Sequence, residues 1–172
     1  MNDGFYKIDN IFTEEQRRNF IKDIQRFLID GREVNTYYGG EGKYQEGFDW
    51  FKLTHSTLQL VPEFKELHQH MVDVIKKECG LNCEIKKSWV NLSNGKRRKV
   101  SWHNHKGGPD YAGVYYMKIF PFFSNGTLFK DYGLVKAKQN SLMIFDPTLD
   151  HSTPPSPLPL ERYTWVVDLY LT

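Results

Sequence analysis

Apolar positions recur at helical spacing twice in the first 80 residues and at strand spacing after them. In the first stretch Phe20, Ile21, Ile24, Phe27 and Leu28 follow Thr13–Gln16, TEEQ, a capping-box pattern that closes a first helical turn. This predicts a helix over residues 14–29. A second stretch, PEFKELHQHMVDVIKKECG, places Phe64, Leu67, Met71, Val74 and Ile75 on one face and ends at Gly80, a helix stop. The segment between them, TYYGGEGKYQEGFDWFKL, is too rich in glycine for a regular helix. It reads equally as a flap whose Tyr and Trp side chains touch a ligand (Tyr37 to Phe51) and as a long connection covering the core.

After Leu81 the texture turns to short strand-type runs: CEIKKSWVNL, VSWHNH, YAGVYYMKIF, GTLFK, GLVKA, SLMIFD and YTWVVDLYL. Turn signals at Asn94-Gly95 and Ser124-Asn125-Gly126 divide them. Strands following two helices predict a mainly β, α+β domain, a sandwich or barrel buttressed by helices on one side. PPSPLP, Pro154 to Pro159, reads as a stiff loop joining two strands. One domain over residues 1–172 is expected, with helical support and lid in about 1–80 and the β core in about 81–172.

Composition narrows the function classes. The chain is 40% hydrophobic and 15% aromatic, typical of a folded domain with an aromatic interior or cleft. A net charge of +2 is too weak to point to nucleic acid or an anionic membrane. The basic run KRRK, Lys96 to Lys99, reads as a solvated hairpin tip, with an acidic or phosphate partner as the lesser option. No stretch approaches the roughly 20 apolar residues that span a bilayer, and MNDGFYKIDNIFTEEQ lacks a secretory pattern, so a cytoplasmic location is expected. Cys79 and Cys83 read as two reduced structural thiols. Oligomeric state is open.

The chemistry-bearing candidates lie in the β half. His103 and His105, in SWHNH, have equal parity on a strand, which brings their imidazoles to one face about 6–7 Å apart at the Cα level. A lone H-x-H pair equally marks a polar strand end, and His68, His70 and His55 read as such ordinary histidines. The pair gains weight from His151, in MIFDPTLDHSTPP, a third imidazole able to complete a facial metal site with open positions. On the last strand Arg162, Thr164 and Val166 share one face while Tyr163, Trp165 and Val167 share the other. An inward Arg162, with no carboxylate evident on its own strand face, needs an anion, or else a protein partner such as Asp146 or Asp150.

Taken in order over residues 89–171, HNH, GVYYMK, SNGTLF, SLMIFDPTLDHSTPP and ERYTWVVDLYL resemble the iron(II)- and 2-oxoglutarate-dependent dioxygenase superfamily, in particular its prolyl-hydroxylase-like branch. Small members of that kind are frequent in bacteria and phages, so a cytoplasm, of the cell or of a phage-infected host, is implied. The resemblance implies a double-stranded β-helix, the cupin-like jelly roll, and an enzyme using Fe(II), 2-oxoglutarate and O2 to hydroxylate an amino-acid side chain or small molecule, releasing succinate and CO2. It also implies His103 and His151 as iron ligands, Arg162 as the partner of the distal 2-oxoglutarate carboxylate, and Tyr116, Asn91 and Thr164 as further cofactor-facing residues.

The chain departs from the family's usual His-x-Asp or His-x-Glu at His105. His105 completes a three-histidine face of the kind cupin-type dioxygenases use, or Asp110, on the loop KGGPDY, folds back to supply the carboxylate. A site for another metal, or one without oxygenase activity, is the third reading. Two rivals come from other classes: a three-histidine zinc hydrolase or lyase, and a jelly-roll binding module without catalysis.

Overall fold

The computed structural model describes residues 4–29, 43–44, 50–53, 58–93, 100–123 and 125–172. Along the chain run β1 (Phe5–Asp9), α1 (Glu14–Ile29), β2 (Lys43–Tyr44), β3 (Trp50–Leu53), two single 3-10 turns, α2 (Lys65–Cys79), β4 (Cys83–Ser93), β5 (Tyr111–Lys118), β6 (Gly126–Phe129), β7 (Gly133–Lys136), β8 (Ser141–Phe145), β9 (His151–Ser152) and β10 (Arg162–Leu171). Both helices form where their signals predict. At α1 the Gln16 N–H donates to Thr13 Oγ1 (3.1 Å) and the Thr13 N–H to Gln16 Oε1 (2.9 Å), so two otherwise orphaned donors are satisfied reciprocally. Gly80 ends α2 at φ +70°, a left-handed conformation that favours glycine, and its N–H reaches Lys76 O.

A seven-stranded antiparallel sheet in the order β1-β8-β5-β10-β4-β3-β2 faces a three-stranded sheet, β7-β6-β9. Two helices lie against the outer face of the larger sheet, and the arrangement is the jelly roll. Strand alternation sorts the interior into two cores. Tyr115, Met117, Leu142, Ile144, Tyr163, Trp165, Val167 and Leu169 point to the helices and meet Phe20, Ile24, Phe64, Met71 and Ile75. Their sheet neighbours Val114, Tyr116, Met143, Phe145 and Val166 point the other way, onto Phe129 of the small sheet. Hence β8, sandwiched between both cores, is buried at every position.

The structure departs from the expected elements in three places. Phe5–Asp9 forms an edge strand paired with β8, Phe5 opposite Phe145, although nothing near it in sequence signals a partner. With β2 and β3 it carries the sheet into the first 80 residues, so that segment contributes more than helical support. VSWHNH is not a strand: His103 makes a single antiparallel bridge with His151. The PPSPLP segment does connect two strands, β9 and β10. Most of the Tyr37–Phe51 flap, Lys96–Lys99, His55 and the side chains of Phe27 and Leu28 lie outside the described residues.

Candidate metal centre

His103 and His151 exchange both backbone bonds, His103 N to His151 O at 3.1 Å and His151 N to His103 O at 2.8 Å, while the His105 N–H donates to Pro147 O at 2.8 Å. The segment is therefore stitched to the β8–β9 connection. The two residues of the H-x-H pair still present their rings to one side, with centroids 5.8 Å apart, and His151 lies 4.3 Å from His103 and 5.3 Å from His105. One nitrogen from each of the three lies within 4.8 Å of the others. A shared ion bound at about 2.1 Å needs its donors no more than about 4.2 Å apart, so small ring rotations suffice.

Hydrogen bonding selects which nitrogens could face an ion. His105 Nδ1–H donates to Asp168 Oδ1 at 2.6 Å, and His151 Nδ1–H donates to Leu149 O at 2.8 Å. The Nδ1 of His103 is turned to Ser101 O at a longer 3.4 Å. The occupied Nδ1 positions of His105 and His151 direct their Nε2 atoms toward a shared cation, the arrangement that orients imidazole ligands in metal proteins. Burial, with the neighbouring His103 next, pulls His151 down to about 3, so this ring is a neutral donor near pH 7. His103 is exposed and gives the cluster its solvent side.

Asp110 is not brought to this cluster. Its Oδ2 accepts the Leu171 N–H at 2.8 Å, and its own N–H donates to Leu169 O, which anchors the loop along β10. A carboxylate stands behind His105 instead of beside it, and it comes from Asp168. The face holding Arg162, Thr164 and Val166 continues by the same alternation to Asp168, so the expectation of no carboxylate on that strand face is corrected. Asp168 is committed to His105, about 20 Å along an extended strand from Arg162. A lone acidic residue in WVVDLYL was the available sequence signal.

The other candidates form a ladder across the sheet. Asn91 pairs with Thr164, Thr164 with Tyr116, and Tyr116 with Ser141, so three predicted residues occupy one rank of three adjoining strands. Arg162 is 5% exposed; its Nη2 donates to Gly126 O at 2.9 Å, its Nη1 is 3.4 Å from Thr164 Oγ1, and its guanidinium lies 5.7 Å from the Tyr116 ring centroid. Burial pushes the Tyr116 phenol up to about 12, and its oxygen is 2.6 Å from Thr127 Oγ1. It is a neutral hydroxyl at any ordinary pH. Of the protein carboxylates considered for Arg162, Asp150 bonds Asn104 and pairs with Lys130, and Asp146 is held by Thr148.

Gly126 makes this corner possible. A Cβ there would stand 2.1 Å from Val135 O, a backbone atom, so only glycine allows β6 to approach β7 while its carbonyl receives Arg162. His68 and His70 are structural, as expected. His68 is buried with its Nδ1–H donated to Phe64 O, and His70 donates to Ile11 O. Cys79 and Cys83 are free thiols raised by burial.

No family model matches this sequence, and no curated protein sequence does either. Solved structures match by shape. EctD from S. alaskensis in its apo form superposes with a TM-score of 0.73 at 14% identity, over 98% of this chain and 73% of its own. The non-heme alpha-ketoglutarate-dependent epimerase SnoN from nogalamycin biosynthesis gives 0.69 at 11% identity, over 98% and 78%. HygX from Streptomyces hygroscopicus, with nickel and 2-oxoglutarate bound, gives 0.64 at 11%, over 98% and 83%. EctD has also been solved with Fe, and with 2-oxoglutarate and 5-hydroxyectoine. At these identities the likeness establishes a shared jelly-roll fold, and on that fold this chain gathers three imidazoles at one end of a polar sheet face.

Proposed function

We propose that this chain is an iron(II)- and 2-oxoglutarate-dependent oxygenase that hydroxylates a small molecule or an amino-acid side chain, the prolyl-hydroxylase-like case being the finer reading. The observation carrying it is the convergence of three imidazoles beside a sheet face that also carries the buried Arg162, which donates to Gly126 O and lies 3.4 Å from Thr164 Oγ1. The fold is shared with proteins solved with iron or nickel and with 2-oxoglutarate. The donor set suits the ion: three neutral nitrogens leave further positions for ligands.

Iron(II), with 2-oxoglutarate and oxygen as co-substrates, supplies the oxidising chemistry, and succinate and CO2 leave with the hydroxylated product. The chain's own residues do the positioning. His103, His105 and His151 offer Nε2 from one side. Arg162, with Thr164, Tyr116 and Asn91 in the adjoining rank, anchors the distal carboxylate, the fork of the guanidinium matching two carboxylate oxygens. Tyr116 can only donate or accept as a neutral hydroxyl, so it adds no competing charge. Phe129, Phe145, Val166 and Trp89 keep water from the inner wall. Exposed His103 and Trp102 put the substrate approach at that edge. Two thiols held protonated by burial suit the reducing cytoplasm.

An anaerobic absorbance titration of the metal-free protein tests this. A visible charge-transfer band requiring both iron(II) and 2-oxoglutarate, weakened in Arg162→Ala and lost in His105→Ala, is the expected result. The all-imidazole donor set also suits a zinc hydrolase or lyase. Zinc in the purified protein, no band and no succinate would replace the oxygenase with that reading, and no metal at all would leave a binding module.

A further inference from the structure

All three donors of the cluster are imidazoles, so the ligand set brings no negative charge to a divalent ion. A carboxylate nevertheless stands one hydrogen bond away. Asp168 and His105 form a 2.6 Å contact with both side chains 7% exposed. Trp89 stacks on the same imidazole, ring centroids 5.6 Å apart and planes 25° from parallel. Asp168 sits between Ala112 of β5 and Lys87 of β4, in the interior of the sheet, and the β4 pairing shifts register just beyond it. Register shifts of this kind re-aim side chains beside functional sites. Burying a carboxylate in the interior of a sheet is unfavourable unless a partner compensates, and the partner found is a candidate ligand.

We propose that Asp168 is a positioning residue that charges the metal centre from behind. Its carboxylate locks the His105 ring with Nε2 toward the ion and makes that nitrogen a stronger donor, placing the site's negative charge one bond outside the ligand set. The inference rests on the metal-binding half of the reading above and does not need 2-oxoglutarate.

The test is anaerobic iron(II) affinity and the iron(III)/iron(II) potential, measured without 2-oxoglutarate in wild type and Asp168→Asn. The carboxamide keeps the shape and an acceptor oxygen but removes the charge. Binding weaker by about 10–100-fold, with the potential shifted positive, is expected; wild-type affinity and potential would overturn the proposal. In His105→Asp/Asp168→Asn the carboxylate moves into the ligand set, and most of the lost affinity should return. No recovery over Asp168→Asn alone would overturn the claim about charge.

A wild-type measurement covers the case in which the variants fail to fold. In cobalt(II)-loaded protein the hyperfine-shifted Nδ1 proton of His105 should exchange with water more slowly than that of exposed His103. Equal or faster exchange would overturn the lock. An Asp168 effect without any 2-oxoglutarate band would sink the oxygenase reading and leave this proposal standing, and the opposite pattern would do the reverse.

Discussion

Adjacent residues of β10 belong to two different environments. Tyr163, Trp165, Val167 and Leu169 face the helices and contribute to a core of aromatic and aliphatic side chains. Arg162, Thr164, Val166 and Asp168 face the small sheet, and three of those four are polar although all are buried. One strand therefore carries two kinds of selection. The helix-backed face is free to maximise apolar burial, whereas the face toward the small sheet holds charges whose desolvation must be met by partners. The difference predicts that substitutions one residue apart on β10 act on different properties.

Trp165 gives the largest effect. Its side chain is fully buried, with Phe20 edge-on at 5.0 Å and His68 at 4.5 Å. Its Nε1 is the buried side-chain polar atom lacking a partner among the described residues, so its contribution is packing. Trp165→Ala should lower unfolding free energy by about 3–5 kcal/mol in urea titrations, while the folded fraction keeps its iron(II) affinity. A loss under about 1 kcal/mol would break the assignment of stability to this face.

His68 sharpens the comparison through pH. Burial pulls its imidazole from 6.5 down to about 4, with the bond to Phe64 O opposing in part, and Ser88 Oγ sits 2.8 Å from Nε2. The folded chain resists a proton that the unfolded chain accepts near its ordinary value. Stability from this group is complete above pH 6.5 and falls as pH drops toward 4, by about 3 kcal/mol at about 1.4 kcal/mol per unit. Denaturant midpoints of wild type and His68→Gln should converge on acidification, and added metal should not change that convergence. Parallel pH curves would show that His68 does not titrate with unfolding.

Arg162 is the counterpart on the face toward the small sheet, one residue before Tyr163. Arg162→Ala should weaken 2-oxoglutarate binding about 100-fold, the equivalent of 2–3 kcal/mol for a buried charged contact. Calorimetry on the iron(II) form checks this, and iron(II) affinity alone should stay near wild type because Arg162 is not among the three donors. Equal losses in both would mean that the two ends of the face are not separable.

These two faces were unequally legible in the sequence. Helix caps are local: TEEQ and Gly80 announce themselves within a few residues, and α1 and α2 appear where the pattern puts them. Pairing between distant strands is not local. Phe5–Asp9 has an unremarkable five-residue pattern, and its role follows only from Phe145 and its neighbours lying opposite. His103 and His105 were visible as a pair, but the backbone that aims them is a bridge to His151 and a bond to Pro147 O, both made across the chain. Asp168 was readable by extending the Arg162, Thr164, Val166 alternation one step. It was missed because an acidic residue within the apolar run Val166, Val167, Leu169 has no meaning until its partner is known.

The smallest effect tests whether the helical layer is separable from the candidate metal centre. Thr13 Oγ1 accepts the Gln16 N–H at the exposed start of α1, and Gln16 answers to the Thr13 N–H. Removing the hydroxyl leaves one helical donor to water, which costs about 1 kcal/mol. Thr13→Ala should lower the urea midpoint accordingly and leave iron(II) and 2-oxoglutarate affinities unchanged, since the cap touches only the outer layer and the three donors are held by β9, β10 and the loop between β4 and β5. A change in metal affinity from so distant a cap would mean that the helices set the site geometry through the sheet, and the two faces of β10 would have to be treated as one cooperative unit.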